Sequence, residues 1–328
     1  MKQRGVALIL VLWILSILIL MAGSFSLTMR RESADVITIK ANIEANAQAR
    51  SVLTLAQAML LQEDETKRWR IDGSIYEIET ENTTTRIQIL SETGKIDINS
   101  VPTTLFHQVL MHAPIDSQAQ LNLENAILDW RDADEDTRVF GAEKKEYHAA
   151  KLHYSPRNKP FRSLEELQMV HGMTAEIFEW MKTIFTVYAA GQTEVDLNLA
   201  SRDVLSVLLN VDANLLDAYF LARQKSIMNH APLPVIPSSA NSNQAMSQDM
   251  EATTEASPAP EISVVSVIVE TILDNEAQAT IHVVMEKIDG TNNLPFQILT
   301  WKNETDDATQ SLFDDEMNAF VVSRIIEN

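Results

Sequence analysis

From Val6 to Met29 the chain carries no charged residue, and this run begins directly after Lys2, Arg4 and Gly5 as VALILVLWILSILILMAG. About 20 apolar residues are enough to carry a helix across the hydrocarbon core of a bilayer, so 6–29 can span it and contact lipid along its length. A cleaved secretory signal is the competing reading. MAGSFS at 21–26 imitates a small-residue cleavage site, although the apolar core of such signals is shorter, about 7–15 residues. Nothing in the sequence stops the helix there. Between Gly23 and Gly73 there is neither proline nor glycine, and good helix formers dominate up to about Gln62. Val36, Ile39, Ile43, Ala47, Val52, Leu55 and Met59 recur at spacings that predict one loose apolar stripe. The reading is a single helix with a transmembrane half, 6–29, and a half-polar continuation within 30–66. Lys2 and Arg4 before the span favour a cytoplasmic N-terminus, and Arg30 and Arg31 beyond it weaken that bias without reversing it.

The pattern then changes to strands. SIYEIE (74–79) and TRIQILSE (84–91) alternate with period two and flank a polar turn, which predicts a hairpin within 67–94. From 95 to 228 the chain is helical and acidic. A Pro/Ser/Ala-rich stretch, 229–261, has too little apolar content to bury a core and reads as a flexible linker. Strands resume at 263–273, 280–288 and 295–303, within 262–303. The economical architecture is α+β: a long N-terminal helix on one small antiparallel sheet that is split in sequence by an inserted all-α domain. In the acidic tail, 304–328, SLFDDEMNAFVVSRIIEN is expected as a short amphipathic helix.

The helical region contains an internal repeat. IDINSVPTTLFHQVL (96–110) aligns without gaps on VDLNLASRDVLSVLL (195–209), matching Asp97 to Asp196 and Asn99 to Asn198. Each copy is a capping segment before an apolar-periodic helix, so two related sub-bundles are expected, 95–190 and 191–228. Between them SLEELQMVHGMTAEIFEWMKTI turns at Gly172, with Ser163 and Glu166 spaced as a capping box. This helix–Gly–helix unit has the form of helix-hairpin-helix elements that grip DNA. A net charge of −20 and pI near 4.7 argue against nucleic acid, because phosphate binding needs a basic face. There is no cysteine, which excludes disulfides and thiolate metal sites.

DWRDADEDTRVFGAEKKEY (129–147) carries the most chemistry. Asp132, Asp134 and Asp136 alternate, and Glu143 falls eleven residues after Asp132. That is the ligand spacing of an EF-hand loop, in which alternating oxygens and a distal carboxylate surround Ca2+. Thr137 stands where such a loop has glycine, so this loop must curl differently, with Gly141 supplying freedom. Asp129, Glu135 and Glu146 can add ligands for one ion or two. The alternative is a solvated acidic turn. His107 with His112, and His148 with His153, are five apart and do not share a helical face. HExxH, GxSxG and a glycine-rich phosphate loop do not occur, and the chain is not read as an enzyme.

Together, RGVALILVLWILSIL, DWRDADED with GAEKKEYH, NKPFRSLEELQMVHGM and PFQILTWKN resemble the K class of minor pseudopilins of the type II (general) secretion pathway. The resemblance implies a five-residue leader, 1–5, removed by a prepilin peptidase after Gly5 to leave Val6 as the new N-terminus. It implies a pilin-like sheet, a large inserted helical domain of SAM-like or helix-hairpin-helix-like build, and Ca2+ in that domain. Leu10 lies at the mature position where most pilins carry Glu, which is a K-class trait. An isolated carboxylate in hydrocarbon is retained only for a partner, so a subunit without it suits the end of a filament. The implied setting is the bacterial inner membrane, crossed once, with the folded part periplasmic. The implied partners are other minor pseudopilins and the pseudopilus, the peptidase, and the inner-membrane platform of a pathway that exports folded proteins. The alternative is a signal-anchored calcium-binding module or adhesin unrelated to pilins.

Overall fold

A computed structural model describes residues 6–189, 191–229, 231–237, 262–288, 294–304, 311–313, 317 and 321–326. The expected leader with Gly5, and most of the expected linker (238–261), lie outside them. Helix α1 runs unbroken over Val6–Leu60, 55 residues, or about 80 Å. Every residue from Leu8 to Lys40 is exposed. The buried face begins at Ala41 and continues through Ala45, Ala49, Val52, Leu53, Ala56 and Leu60. Alanine on this face lets the helix axis approach the sheet closely. The expected single stripe is therefore corrected. Val36, Ile39 and Ile43 are 64%, 59% and 65% exposed, and at 100° per residue they point away from the alanine face. The helix has two apolar faces, one for its own sheet and one turned outward.

The main sheet contains β1 (Asp72–Glu79), β2 (Thr83–Ser91), β5 (Val264–Leu273), β6 (Gln278–Lys287), β7 (Phe296–Glu304) and β8 (Val321–Ile326), in the order β7-β6-β5-β2-β1-β8. The β1–β2 hairpin is antiparallel, with Tyr76 opposite Ile87. Strand β2 pairs in turn with β5, from Thr83↔Leu273 to Ser91↔Val265. Neighbours in the sheet are thus separated in sequence by the whole helical region. Ile87, Ile89, Val265, Val267, Val269, Ile281 and Val283 turn one face to α1. Each such buried side chain contributes about 1.5–3 kcal/mol.

The C-terminal segment departs from expectation. Val321–Ile326 is not helical but forms the sheet's parallel edge strand, with Ile78 opposite Ile325 and Glu79 opposite Ile326. VVSRII is rich in β-branched residues, and the outer edge of β1 offers unpaired backbone groups to such a segment. On the way there, residues 311–313 cross the far face. Leu312 N donates to Glu270 Oε1 at 2.7 Å, and Arg86 Nη1 donates to the Phe313 carbonyl at 3.2 Å.

The helical region holds α2 (Thr103–Leu110), α3 (Ser117–Arg131), α4 (Lys144–Ala149), α5 (Ala175–Ile184), α6 (Arg202–Leu209) and α7 (Ala213–Met228). Its larger core gathers Phe106, Leu123, Ile127, Trp130, Tyr147, Phe161, Phe178 and Ile184. It is tied by a two-stranded parallel sheet of β3 (Ile96–Asp97) and β4 (Phe185–Thr186). A second core holds Ala200, Val204, Leu205, Leu216 and Tyr219. The repeat is visible in three dimensions: Asp97 Oδ1 accepts from Asn99 N at 2.8 Å, and Asp196 Oδ1 from Asn198 N at 3.0 Å. The capping box read at Ser163 is not formed. Leu164–Met169 is a 3-10 turn without a side-chain cap, and Glu166 Oε1 instead accepts from Arg162 N. Gly172 turns the chain toward α5 at φ +87°.

The insert and α1 meet the sheet at the same end. Ala45, early on the buried face, packs with Leu273 and Ala279, whereas Gln57 near the helix terminus reaches Met285. Met285 is paired with Val265, and Val265 with Ser91, where the chain leaves for the helical region. The insert therefore rises from the end of the sheet farthest from the apolar half of α1. It is fastened there by a Tyr188–Thr300 hydroxyl bond of 2.7 Å, by the Lys302–Glu165 pair, and by Arg223 on Asp72 at 3.4 Å. Burial raises the Asp72 carboxyl, but Arg223 and Arg70 outweigh it and hold it below the usual range.

Candidate functional site

The acidic loop joins the end of α3 to the start of α4 on the insert. Asp129, in the last turn of α3, is fully buried, although the carboxylate of an ordinary helix end faces water. It is held by Arg138: Nη1 donates to Asp129 Oδ1 at 2.7 Å, and the Arg138 backbone N donates to Oδ2 at 3.2 Å. The same guanidinium pairs with Asp132 Oδ2. Gly141 permits this arrangement, since a Cβ there would lie 2.0 Å from Asp129 Oδ2. Burial pushes the Asp129 carboxyl up against the pull of Arg138.

Glu143 caps the entry to α4. It is 3% exposed, and its Oε1 has no hydrogen-bond partner among the described residues. Burial first, then the charges of Asp129, Asp132 and Asp134, push its carboxyl up to about 7. Asp132 Oδ1 is likewise buried without a partner among the described residues. Two carboxylate oxygens enclosed among like charges are costly unless a cation meets them, so the donor set suits a hard divalent ion.

The sequence-expected ligands are not equivalent. Asp129, Asp132 and Asp134 all lie close enough to Glu143 to act on it electrostatically. Asp134 Oδ1 accepts from Asp136 N at 2.9 Å, and Glu135 and Asp136 are exposed. Glu146 is engaged elsewhere, its Oε2 accepting from Glu143 N at 3.1 Å. As the side chains stand, no three acidic or imidazole groups among the described residues converge to hold an ion. Sequence reasoning missed Arg138 and Asn158, whose Nδ2 reaches the Asp134 carbonyl. The available signal was an arginine inside the acidic run, nine residues after Asp129.

At the other end of the chain, Leu10 is exposed on α1. The helix containing it is apolar and long enough to cross a membrane.

Comparison with known proteins gives one consistent assignment. The family model for protein K of the type II secretion system matches residues 87–190, from the second half of β2 to the end of the first sub-bundle. A curated type II secretion system protein K of Klebsiella pneumoniae is 24% identical over 247 residues, covering 69% of this chain and 76% of the relative. Its counterpart from Aeromonas hydrophila is 22% identical over 258 residues, covering 70% and 76%. Among solved structures, a chain of the GspK-GspI-GspJ complex of the enterotoxigenic Escherichia coli type 2 secretion system superposes with a TM-score of 0.52. That match has 14% identity and covers 84% of this chain and all of that one. The chain is thus similar to protein K of type II secretion systems, in sequence over its first helical sub-bundle and in fold over most of its length.

Proposed function

We propose that this protein is a minor pseudopilin that initiates or caps the tip of the periplasmic pseudopilus that drives export of folded proteins across the outer membrane. The observation that carries this reading is the position of the insert. It stands at the end of the sheet farthest from the apolar half of α1, where it obstructs a further subunit above while leaving the helix accessible below. Two features support it: the exposed span from Leu8 to Lys40 and the outward stripe of Val36, Ile39 and Ile43. A helix facing lipid or other helices keeps all its backbone bonds internal. Leu10, in place of a carboxylate, removes the need for a partner amine. Other minor pseudopilins pack against α1, a reading supported by the superposed chain, which belongs to a complex of GspK, GspI and GspJ.

In this reading the N-terminus is cytoplasmic, a prepilin peptidase cuts between Gly5 and Val6, and the folded part is periplasmic, served by the inner-membrane platform. Asp132, Asp134 and Glu143, with Asp129 beside them, would hold Ca2+. The ion would neutralise the cluster and tie the end of α3 to the start of α4. Mass spectrometry of the membrane form tests the anchor directly. A mature N-terminus at Val6, abolished by Gly5→Val, is expected, whereas a soluble form starting near Ser24 would restore an ordinary secretory signal.

A further inference from the structure

The acidic loop carries its own cation. Arg138 touches both Asp129 and Asp132, while Glu143 Oε1 and Asp132 Oδ1 lack any hydrogen-bond partner among the described residues. A divalent ion serving those oxygens would draw on Asp132, a carboxylate that Arg138 already engages. We infer that Arg138 is a tethered competitor of the ion at this site, lowering calcium affinity and holding the loop closed when calcium is scarce. The inference rests on the calcium reading of the loop given above.

Several observations carry it. Arg138 is not a surface pair of convenience: its backbone N and its guanidinium both bind Asp129, and that carboxylate has no exposure. Charge-assisted pairs of this kind are about twice as strong as neutral hydrogen bonds. The Arg138 side chain remains 39% exposed, so it can swing to solvent without opening the core. The segment that would move with it is accessible, since the neighbouring Val139 and Phe140 are 77% and 56% exposed. Phe140 also sits at φ 71°, a left-handed conformation that is costly for a bulky side chain. The closed loop thus holds a strained residue next to the group that must leave. A purely structural arginine would behave in the opposite way, since its removal would loosen the carboxylates and weaken any ion they hold.

Calorimetric titration of CaCl2 into the full-length protein in detergent distinguishes these cases, using wild type, Arg138→Gln, Arg138→Lys and Glu143→Gln. Competition predicts tighter calcium binding in Arg138→Gln, on the order of tenfold, within the ordinary range of coupling between two ligands. Arg138→Lys, which keeps the charge but loses the fork, should fall between that variant and wild type. Thermal melting supplies a second readout. In chelator Arg138→Gln should melt below wild type, and saturating calcium should raise its melting temperature by more than it raises that of wild type. If the variant binds calcium equally or more weakly while Glu143→Gln loses it, the competitor role falls and the calcium reading stands. If neither wild type nor any variant binds calcium, both fall. Binding by Arg138→Gln alone would support the competitor role in its strongest form. Should Arg138→Gln not fold, Arg138→Lys decides: unchanged or weaker affinity overturns the inference.

Discussion

Gly94→Ala tests how the insert is seated on the sheet. Gly94 is buried in the short 3-10 turn that leads out of β2. A Cβ added there would meet the Leu199 carbonyl oxygen at 2.5 Å, its carbon at 2.7 Å and Ala200 N at 3.0 Å. All three are backbone atoms of the second sub-bundle, so no side chain can rotate away. The approach is roughly 1 Å short of van der Waals contact, and the two backbones must part. Overpacking of this kind costs about 1–3 kcal/mol. The neighbouring bond from Asp196 N to the Thr93 carbonyl, 3.0 Å long, would stretch at a further cost of about 1 kcal/mol. The expected destabilisation is about 2–4 kcal/mol, or a urea midpoint lowered by roughly 1 M, followed by circular dichroism of the purified protein in detergent. Gly172→Ala is the control: nothing lies within 4 Å of its Cβ, but its φ is +87°, so only a backbone cost of about 1 kcal/mol is expected. Equal effects of the two substitutions, or a Gly94→Ala protein within about 0.5 kcal/mol of wild type, would refute the close seating of Gly94 on Leu199.

Ala49→Leu puts bulk on the alanine face between α1 and the sheet, where Ala49 has no exposure, and should cost about 1–3 kcal/mol in the same assay; Ile43→Leu, on the outward face, should change nothing. His282 shares a 2.6 Å bond with Ser266, and burial, followed by the charge of Lys95, holds its imidazole down to about 4. The folded state therefore prefers the neutral ring. That contribution is present above about pH 6.5 and is lost as pH falls toward 4, worth about 3 kcal/mol at most. His282→Gln should flatten the acid limb of the stability profile, and an unchanged slope would count against the burial argument. Arg223→Met removes one of the two cations on buried Asp72 and should cost about 2–3 kcal/mol, visible as a lowered midpoint and as easier proteolysis between the insert and the sheet.

Most of the scaffold could be read in the sequence where a single period dominates. The helix through Leu60 followed from the absence of proline and glycine. The strands at Val264–Leu273 and Gln278–Lys287 followed from their β-branched runs. The repeated Asp-x-Asn turns at Asp97 and Asp196 were visible as matched residues before their hydrogen bonds were seen. What escaped depends on partners distant in sequence. Alanine has no strong hydrophobic signature, so the face that packs on the sheet was less legible than Val36, Ile39 and Ile43, which face outward. Strand β8 is short, charged at Arg324, and defined by pairing with β1 across most of the chain. At the acidic loop the carboxylates were legible from their spacing. Their inequality was not, because burial of Asp129 and its capture by Arg138 arise only when the loop folds back on α3.

The outward stripe of α1 offers the most direct test of the tip assignment, because the native chain contains no cysteine. Single cysteines would replace Ile39 and Ile43, which are exposed, and Ala45, which is sealed against the sheet, and assembled pseudopili would be oxidised and probed by subunit. Disulfides from positions 39 and 43 to cysteines on other minor pseudopilins, with none from position 45, are the expected result. Crosslinks from 39 and 43 to the major subunit at regular intervals along isolated filaments would make this protein a body subunit and contradict the proposed tip position.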